Sequence, residues 1–437
     1  MTQRIWRVCY SWLACPLGWL AVQLLAFKNQ TLKESLEGRK GLWRRLDAQL
    51  AQRDQQKPLI WFHVASAGEF LQAQPVLERC IPHGFECAVT FMSVNGYKWV
   101  QNSKLRPDRR PVVVEYLPLD FARNMRRLLQ KLQPAVIVYV NYDLWPNLLW
   151  EAHAAGIPQY LISATIQPRS KRWTSAIARS LYRTLYACLN GIFTVTEHDR
   201  QRFLTTNPEH PHIQMLGDTR FDSVIARKQT LSPPKLPAYI HDRFVIVIGS
   251  SSASDDAQIF APLKEALQRY PYVFLMIVPH EPTEEYLQNG ETFFQGFVSE
   301  RLTTLQEHPA QIPRILFVDT VGVLSALYSA GSLAYVGGGF YPRVHNVMEP
   351  AIMGLPIIFG PIYDNSPEAI DLLRRGFAFT VKNTEEFRAK LFEFLDHPEK
   401  CRQLGQQAQQ VIESQAGVAE RCFELITANI SRVKKSS

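Results

Sequence analysis

The chain has 437 residues, 46% hydrophobic and 20% charged, a balance that excludes a disordered or fibrous protein and exceeds what one ordinary core needs. Its formal net charge of +8 favours anionic partners such as an acidic membrane or a phosphorylated substrate. No zinc-finger, basic-zipper or RNA-recognition pattern points to nucleic acid, and the cysteines (Cys9, Cys15, Cys80, Cys87, Cys188, Cys401, Cys422) form no CxxC pair, so neither a metal site nor a disulfide framework is expected.

The first element is an uncharged stretch, Tyr10 to Phe27 (YSWLACPLGWLAVQLLAF), close to the ~17–25 residues a helix needs to cross hydrocarbon. Arg4 and Arg7 precede it; Lys28, Lys33, Arg39, Lys40, Arg44 and Arg45 follow. Residues 1–27 are therefore expected to be a membrane anchor and 28–52 a basic juxtamembrane segment. The heavier charge after the anchor places the body on the cytoplasmic face of the inner membrane. A cleaved signal peptide is the rival, weakened by the lack of a small-x-small cleavage site. An in-plane anchor is a third reading, because Pro16 and Gly18 disfavour one straight helix.

From Leu59 short apolar runs alternate with amphipathic stretches, the pattern of parallel βαβ units. Strands are predicted at 59–64, 87–91, 135–140, 159–163 and 191–195, within a first domain at 53–229. The proline-rich 230–238 reads as a linker. A second domain at 239–410 has predicted strands at 244–249, 272–278, 314–318, 333–338 and 355–360, and 411–437 reads as a carboxyl-terminal helix. The fold class is α/β, with two doubly wound, Rossmann-like domains whose ligands are expected at the carboxyl ends of the strands.

Five strand ends carry chemistry. After the first strand comes His63-Val64-Ala65-Ser66-Ala67-Gly68-Glu69-Phe70. Ser66 and Gly68 let an acceptor approach the main chain, and Glu69, on the first helical turn where the dipole favours its ionised form, suits a general base. An ordinary first-turn glutamate is the bland alternative, as is strand-end packing for His63. Asp143, in Tyr142-Asp143-Leu144-Trp145-Pro146-Asn147, is either a cleft carboxylate or a helix N-cap. Asp120 reads as a cap. In the second half, Gly249-Ser250-Ser251-Ser252 can cradle a phosphate, and His280 can meet a base or phosphate or simply sit in a proline turn. Gly337, Gly338 and Gly339 permit close backbone approach before Arg343, His345 and Asn346, three donors for a leaving phosphate. Glu349 follows, placed to accept ribose hydroxyls.

Together these stretches resemble the transferases of 3-deoxy-octulosonic acid (Kdo), most closely the Bacteroidetes-like variant. The resemblance rests on GRK (38–40), ASAGEF (65–70), TFMSVNGY (90–97), YLPLD (116–120), YDLWPN (142–147), GDTRFDSV (217–224), PHEP (279–282), GGGF with HNVMEP (337–350) and GP with DNSPEA (360–369). It implies a glycosyltransferase-B fold and an inverting, metal-independent transfer with no cofactor, from CMP-Kdo to a glucosamine hydroxyl of a lipid A precursor. Carried over by position, Glu69 is the base, with Asp143 beside it. The donor would meet Gly249, Ser250, Ser251, His280, the 337–339 loop, His345, Asn346 and Glu349. Arg220 and Asp222 fall near the crossing between domains. The family commonly has Glu where Asp143 stands, many members have a second carboxylate at Asn141, and many have Arg-His in the segment written Pro279-His280-Glu281. A UDP-sugar transferase of the same architecture and an inactive membrane-tethered binding protein are the competing readings.

Overall fold

A computed structural model describes residues 2–102, 107–232, 234–307, 310–428 and 430. The chain forms two compact units, residues 1–223 with 417–437, and residues 224–416.

The first unit is built on a seven-stranded, all-parallel sheet: β1 (Leu59–Val64), β2 (Glu86–Phe91), β3 (Val113–Tyr116), β4 (Val136–Val140), β5 (Gln159–Ala164), β6 (Gly191–Thr194) and β7 (Ile213–Met215), in the order β3-β2-β1-β4-β5-β6-β7. Helices cover both faces, so both sides of each central strand are apolar. Leu59 and Trp61 enter one core, Ile60, Phe62 and Val64 the other. Strand order reverses between β1 and β4, which are paired directly in the register His63 to Tyr139. Loops leaving two such strands diverge to opposite faces and open a crevice.

The second core repeats the plan with β8 (Phe244–Ser251), β9 (Val273–Pro279), β10 (Ser299–Arg301), β11 (Ile315–Phe317), β12 (Leu333–Val336), β13 (Ile357–Phe359) and β14 (Ala378–Thr380), in the order β10-β11-β9-β8-β12-β13-β14. Its reversal lies between β8 and β12, and Phe244, Ile246 and Ile248 face one core while Val245 and Val247 face the other.

The tail is two helices, Pro398–Ser414 and Val418–Thr427, broken at Gly417, whose φ of 85° suits glycine. The second helix rejoins the first unit. Asp222 accepts hydrogen bonds from the Gly417 and Ala419 N–H groups, both at 2.8 Å, and Val418, Cys422 and Phe423 pack with Phe70, Ala73 and Val76.

At the other end, helical structure runs without interruption from Thr2 to Ala26. Pro16 has no N–H and would crowd the carbonyl four residues earlier. The chain relieves this with one wide π-helical turn, Tyr10–Ala14, and continues.

Candidate active site

The loops after β1 and β4 meet at the reversal of the first sheet. Ser66 caps the helix Ala67–Cys80, its hydroxyl accepting from the Glu69 N–H at 3.4 Å. Glu69 is 6% exposed, and its carboxylate folds back to accept the Ala65 N–H. Burial pushes Glu69 up to about 7, reinforced by the charge of Asp143 and opposed by the Ala65 and Ser66 N–H groups and Arg172. Desolvation therefore outweighs the helix N-terminus that was expected to keep this group ionised. Gly96 sits tight beneath the loop: a Cβ there would lie 3.0 Å from the Ala67 nitrogen. Gly68 is exposed, and a Cβ there would meet only the Ser66 hydroxyl, at 3.8 Å.

Asp143 is not a cap. Its Oδ2 lies 3.2 Å from His63 Nε2 and accepts from the Trp145 indole at 3.0 Å. His63 is buried, with Nδ1 2.9 Å from Thr90 Oγ1, which also accepts from the Trp61 indole at 2.8 Å. An ionised Asp143 only accepts, so Nε2 of His63 donates to it; in the tautomer with Nδ1 bare, that nitrogen can take the Thr90 hydroxyl proton. Burial alone would raise Asp143, but the His63 and Trp145 contacts and the Arg172 charge outweigh it and hold Asp143 below the ordinary carboxylate value. Two neighbouring carboxyls thus stand apart, Asp143 ionised and Glu69 titrating near neutrality.

Capping of the helix Pro146–Ala154 falls to Asp120, which accepts from the Asn147 and Leu148 N–H groups, both at 3.0 Å. It serves this neighbouring helix; its own helix, Ala122–Leu132, has no side-chain cap. Asn141 holds a left-handed φ of 61° and accepts from the Thr165 hydroxyl. The GDTRFD segment is a clamp on the helix carrying Glu69. Asp218 accepts from Gln72 at 3.2 Å and from Arg220 at 2.8 Å, and the Thr219 hydroxyl donates to the Gln72 carbonyl.

In the second unit the loops after β8 and β12 are pressed together as backbone. A Cβ on Gly337 would lie 2.3 Å from the Ser250 carbonyl oxygen, one on Gly339 2.4 Å from the Gly360 nitrogen, and one on Gly249 2.1 Å from the Tyr328 hydroxyl. Gly338 has a φ of +83°. The glycines therefore serve close approach more than N–H donation: the Gly337 N–H donates to the Gly249 carbonyl and the Gly338 N–H to Asp255.

Asp255 is a residue that the motifs did not single out. It is fully buried and accepts from Gly338 N–H at 2.9 Å, Ser252 N–H at 3.1 Å, the Ser252 hydroxyl at 2.9 Å and the Tyr335 hydroxyl at 2.9 Å. The signal was present in Ser252-x-x-Asp255, a capping-box pattern. Beside it, burial pushes Asp256 up to about 7, with Oδ1 unpaired.

His280 and His345 stack, ring centroids 4.6 Å apart and planes 20° off parallel. Burial, with the neighbouring His280 and Arg343, lowers His345 below the usual histidine value despite Asp255, so it offers hydrogen bonds rather than charge at neutral pH. Arg343 is exposed and has no ion-pair partner among the described residues. Asn346 Oδ1 accepts the Met348 N–H at 3.0 Å. Glu349, on the single-turn helix Met348–Ile352, accepts from Arg227 and Ser325, both at 2.6 Å. Two of the roughly four lone-pair directions of that carboxylate remain. The described residues hold no group of three His, Cys, Asp or Glu side chains placed to share a cation.

Two parallel seven-stranded sheets, each with its candidate loops at its strand-order reversal, define the glycosyltransferase-B class. MurG from Acinetobacter baumannii shares this fold with a TM-score of 0.54 at 13% identity, over 85% of this chain and 99% of that one. Residues 37–223 match the family described as 3-deoxy-D-manno-octulosonic-acid transferase (kdotransferase). The 3-deoxy-D-manno-octulosonic acid transferase of Chlamydophila psittaci is 28% identical over 86% of both chains, and that of Haemophilus influenzae 23% identical over 98% of this chain and all of the other. Over most of its length the chain is thus similar to the Kdo transferases.

Proposed function

We propose that the chain moves Kdo from CMP-Kdo to the primary hydroxyl of a glucosamine in a lipid A precursor, with inversion and without a metal, at the cytoplasmic face of the inner membrane during lipopolysaccharide core assembly. The observation that carries this reading is Glu69: buried, oriented by the Ala65 N–H and raised to about 7. A base is most effective when its pKa lies near the working pH, where the deprotonated form is available and still basic enough to take a hydroxyl proton. Asp143, held by His63 and Trp145, keeps a negative charge beside it, and Ser66 and Gly68 leave room for the acceptor.

On the donor side, the loops at 249–251 and 337–339 let the CMP phosphate approach the main chain. Arg343 offsets charge on the departing phosphate, His280, His345 and Asn346 offer hydrogen bonds, and the spare lone pairs of Glu349 suit ribose hydroxyls. The test is transfer by the purified chain in detergent, with CMP-Kdo or UDP-sugars as donor and a lipid A precursor as acceptor. Product from CMP-Kdo alone, lost in Glu69→Gln while CMP still binds, is the expected result. Turnover of a UDP-sugar, or near-normal rates in Glu69→Gln, would overturn the donor or the base respectively.

A further inference from the structure

The amino-terminal helix is long and apolar enough to cross a bilayer, yet it is part of the first unit's packing. At a spacing of four residues, Gln3, Arg7, Ser11 and Cys15 all reach the body. Gln3 donates to Cys188 Sγ at 3.7 Å, Arg7 to Glu151 at 2.6 Å, Ser11 to Asn147 at 2.6 Å and Cys15 to the Asp120 carbonyl at 3.4 Å. Trp6 donates to Ser180 at 3.0 Å, and Tyr10 packs edge-on against Trp150, ring centroids 6.0 Å apart. These are contacts to buried groups: Asn147 and Trp150 are almost completely shielded, and Glu151 is 7% exposed.

With residues 3–15 committed to the body, Pro16 to Phe27 leave about 12 residues, or ~18 Å of helix, against a hydrocarbon core of ~30 Å. That remainder is too short to span. It does not leave the body either, because Gln23, Ala26 and Phe27 wall a cavity of about 750 Å³ with Leu36, Trp43 and Leu119.

We infer that the helix Thr2–Ala26 is an in-plane anchor: one stripe docks on the first unit, and the opposite apolar side enters a single leaflet of an anionic lipid surface. Val8, Trp12 (77% exposed), Leu13, Leu17 and Leu24 form that side. Helices of this kind bury their apolar face ~5–10 Å deep and rely on flanking cations. Lys28, Lys33 and Lys40 are those cations; none has an ion-pair partner among the described residues, and Lys33 and Lys40 line the same cavity, with Glu37 the acidic side chain among its walls. Basic residues near such a surface attract acidic headgroups.

This inference rests on the membrane association proposed above and not on the sugar transferred, so its test needs no transfer assay. The full chain, carrying short epitopes at both ends, is placed in sealed inverted membrane vesicles and exposed to protease. The expected result is removal of both epitopes from the same side. Protection of the amino-terminal epitope until the vesicles are opened would overturn the in-plane geometry, and absence of the chain from the membrane pellet would overturn membrane association itself. In a second measurement, Leu13→Glu with Leu17→Glu is expected to shift at least half of the chain to the soluble fraction with an unchanged thermal midpoint. Retention in the pellet would sink the role of the apolar side.

Discussion

The two units solve the same topological problem with opposite materials. At the reversal of the first sheet the proposed working groups are side chains: Glu69 and Asp143 are charged or chargeable, and each is aimed by hydrogen bonds from Ala65, His63 and Trp145. At the reversal of the second sheet the shape is made by main chain, with Gly337 against Ser250 and Gly339 against Gly360, and a buried aspartate behind them. A side-chain site tolerates substitution structurally and loses chemistry. A backbone site loses its shape when one methyl group is added.

Substitutions that respect or violate this contrast can break it. The largest structural effect is expected for Asp255→Ala, which strands the buried Gly338 N–H, Ser252 N–H and Tyr335 hydroxyl. Each unsatisfied group costs about 1–3 kcal/mol, so a loss of at least ~3 kcal/mol in denaturant unfolding, together with loss of CMP binding, is expected. Next comes Gly337→Ala, whose Cβ meets main chain that cannot step aside. Backbone displacement of that kind costs about 1–3 kcal/mol, and titration calorimetry should show CMP affinity reduced at least tenfold.

Glu69→Gln should behave in the opposite way. A carboxyl whose folded pKa is raised binds its proton more tightly folded than unfolded, so its contribution to stability falls as pH rises from its unfolded value near 4.5 to about 7. The neutral glutamine escapes that loss, and Glu69→Gln should be more stable than the parent at pH 8 by on the order of 2 kcal/mol; an equal or lower stability there would contradict the burial argument. The smallest effect concerns Asp143→Asn. Removing the neighbouring negative charge should move the rising limb of kcat/KM, expected near pH 7, to lower pH by a fraction of a unit, because Asp143 helps to hold Glu69 up.

Ten of the fourteen strands were readable as apolar runs, and the four that were not (β3, β7, β10 and β14) are the four sheet edges. The cause is physical. An edge strand is short and half covered, as in Ile213–Met215 and Ser299–Arg301 with their exposed or half-exposed positions, so it needs no continuous apolar run. In the candidate site, the residue types could be singled out because small residues, carboxylates and histidines recur together at the ends of several predicted strands. Their partners could not: the Asp120 cap on Pro146–Ala154 and the Asp218 bond to Gln72 join positions distant in sequence. Nor could charge state be read from position on a helix, as the elevated Glu69 demonstrates, since burial is set by the whole unit.

The return of the last helix has a consequence for biosynthesis. Val418, Cys422, Phe423 and Ile426 complete the apolar layer over Phe70, Ala73 and Val76, so this unit cannot close until the segment after residues 224–416 has also been made. Residues 224–416, contiguous in sequence, have their own compact set of contacts and do not need that closing helix. The domain bearing Glu69 thus waits with an oily flank uncovered, an interval in which chaperone capture or early placement at the bilayer would protect it.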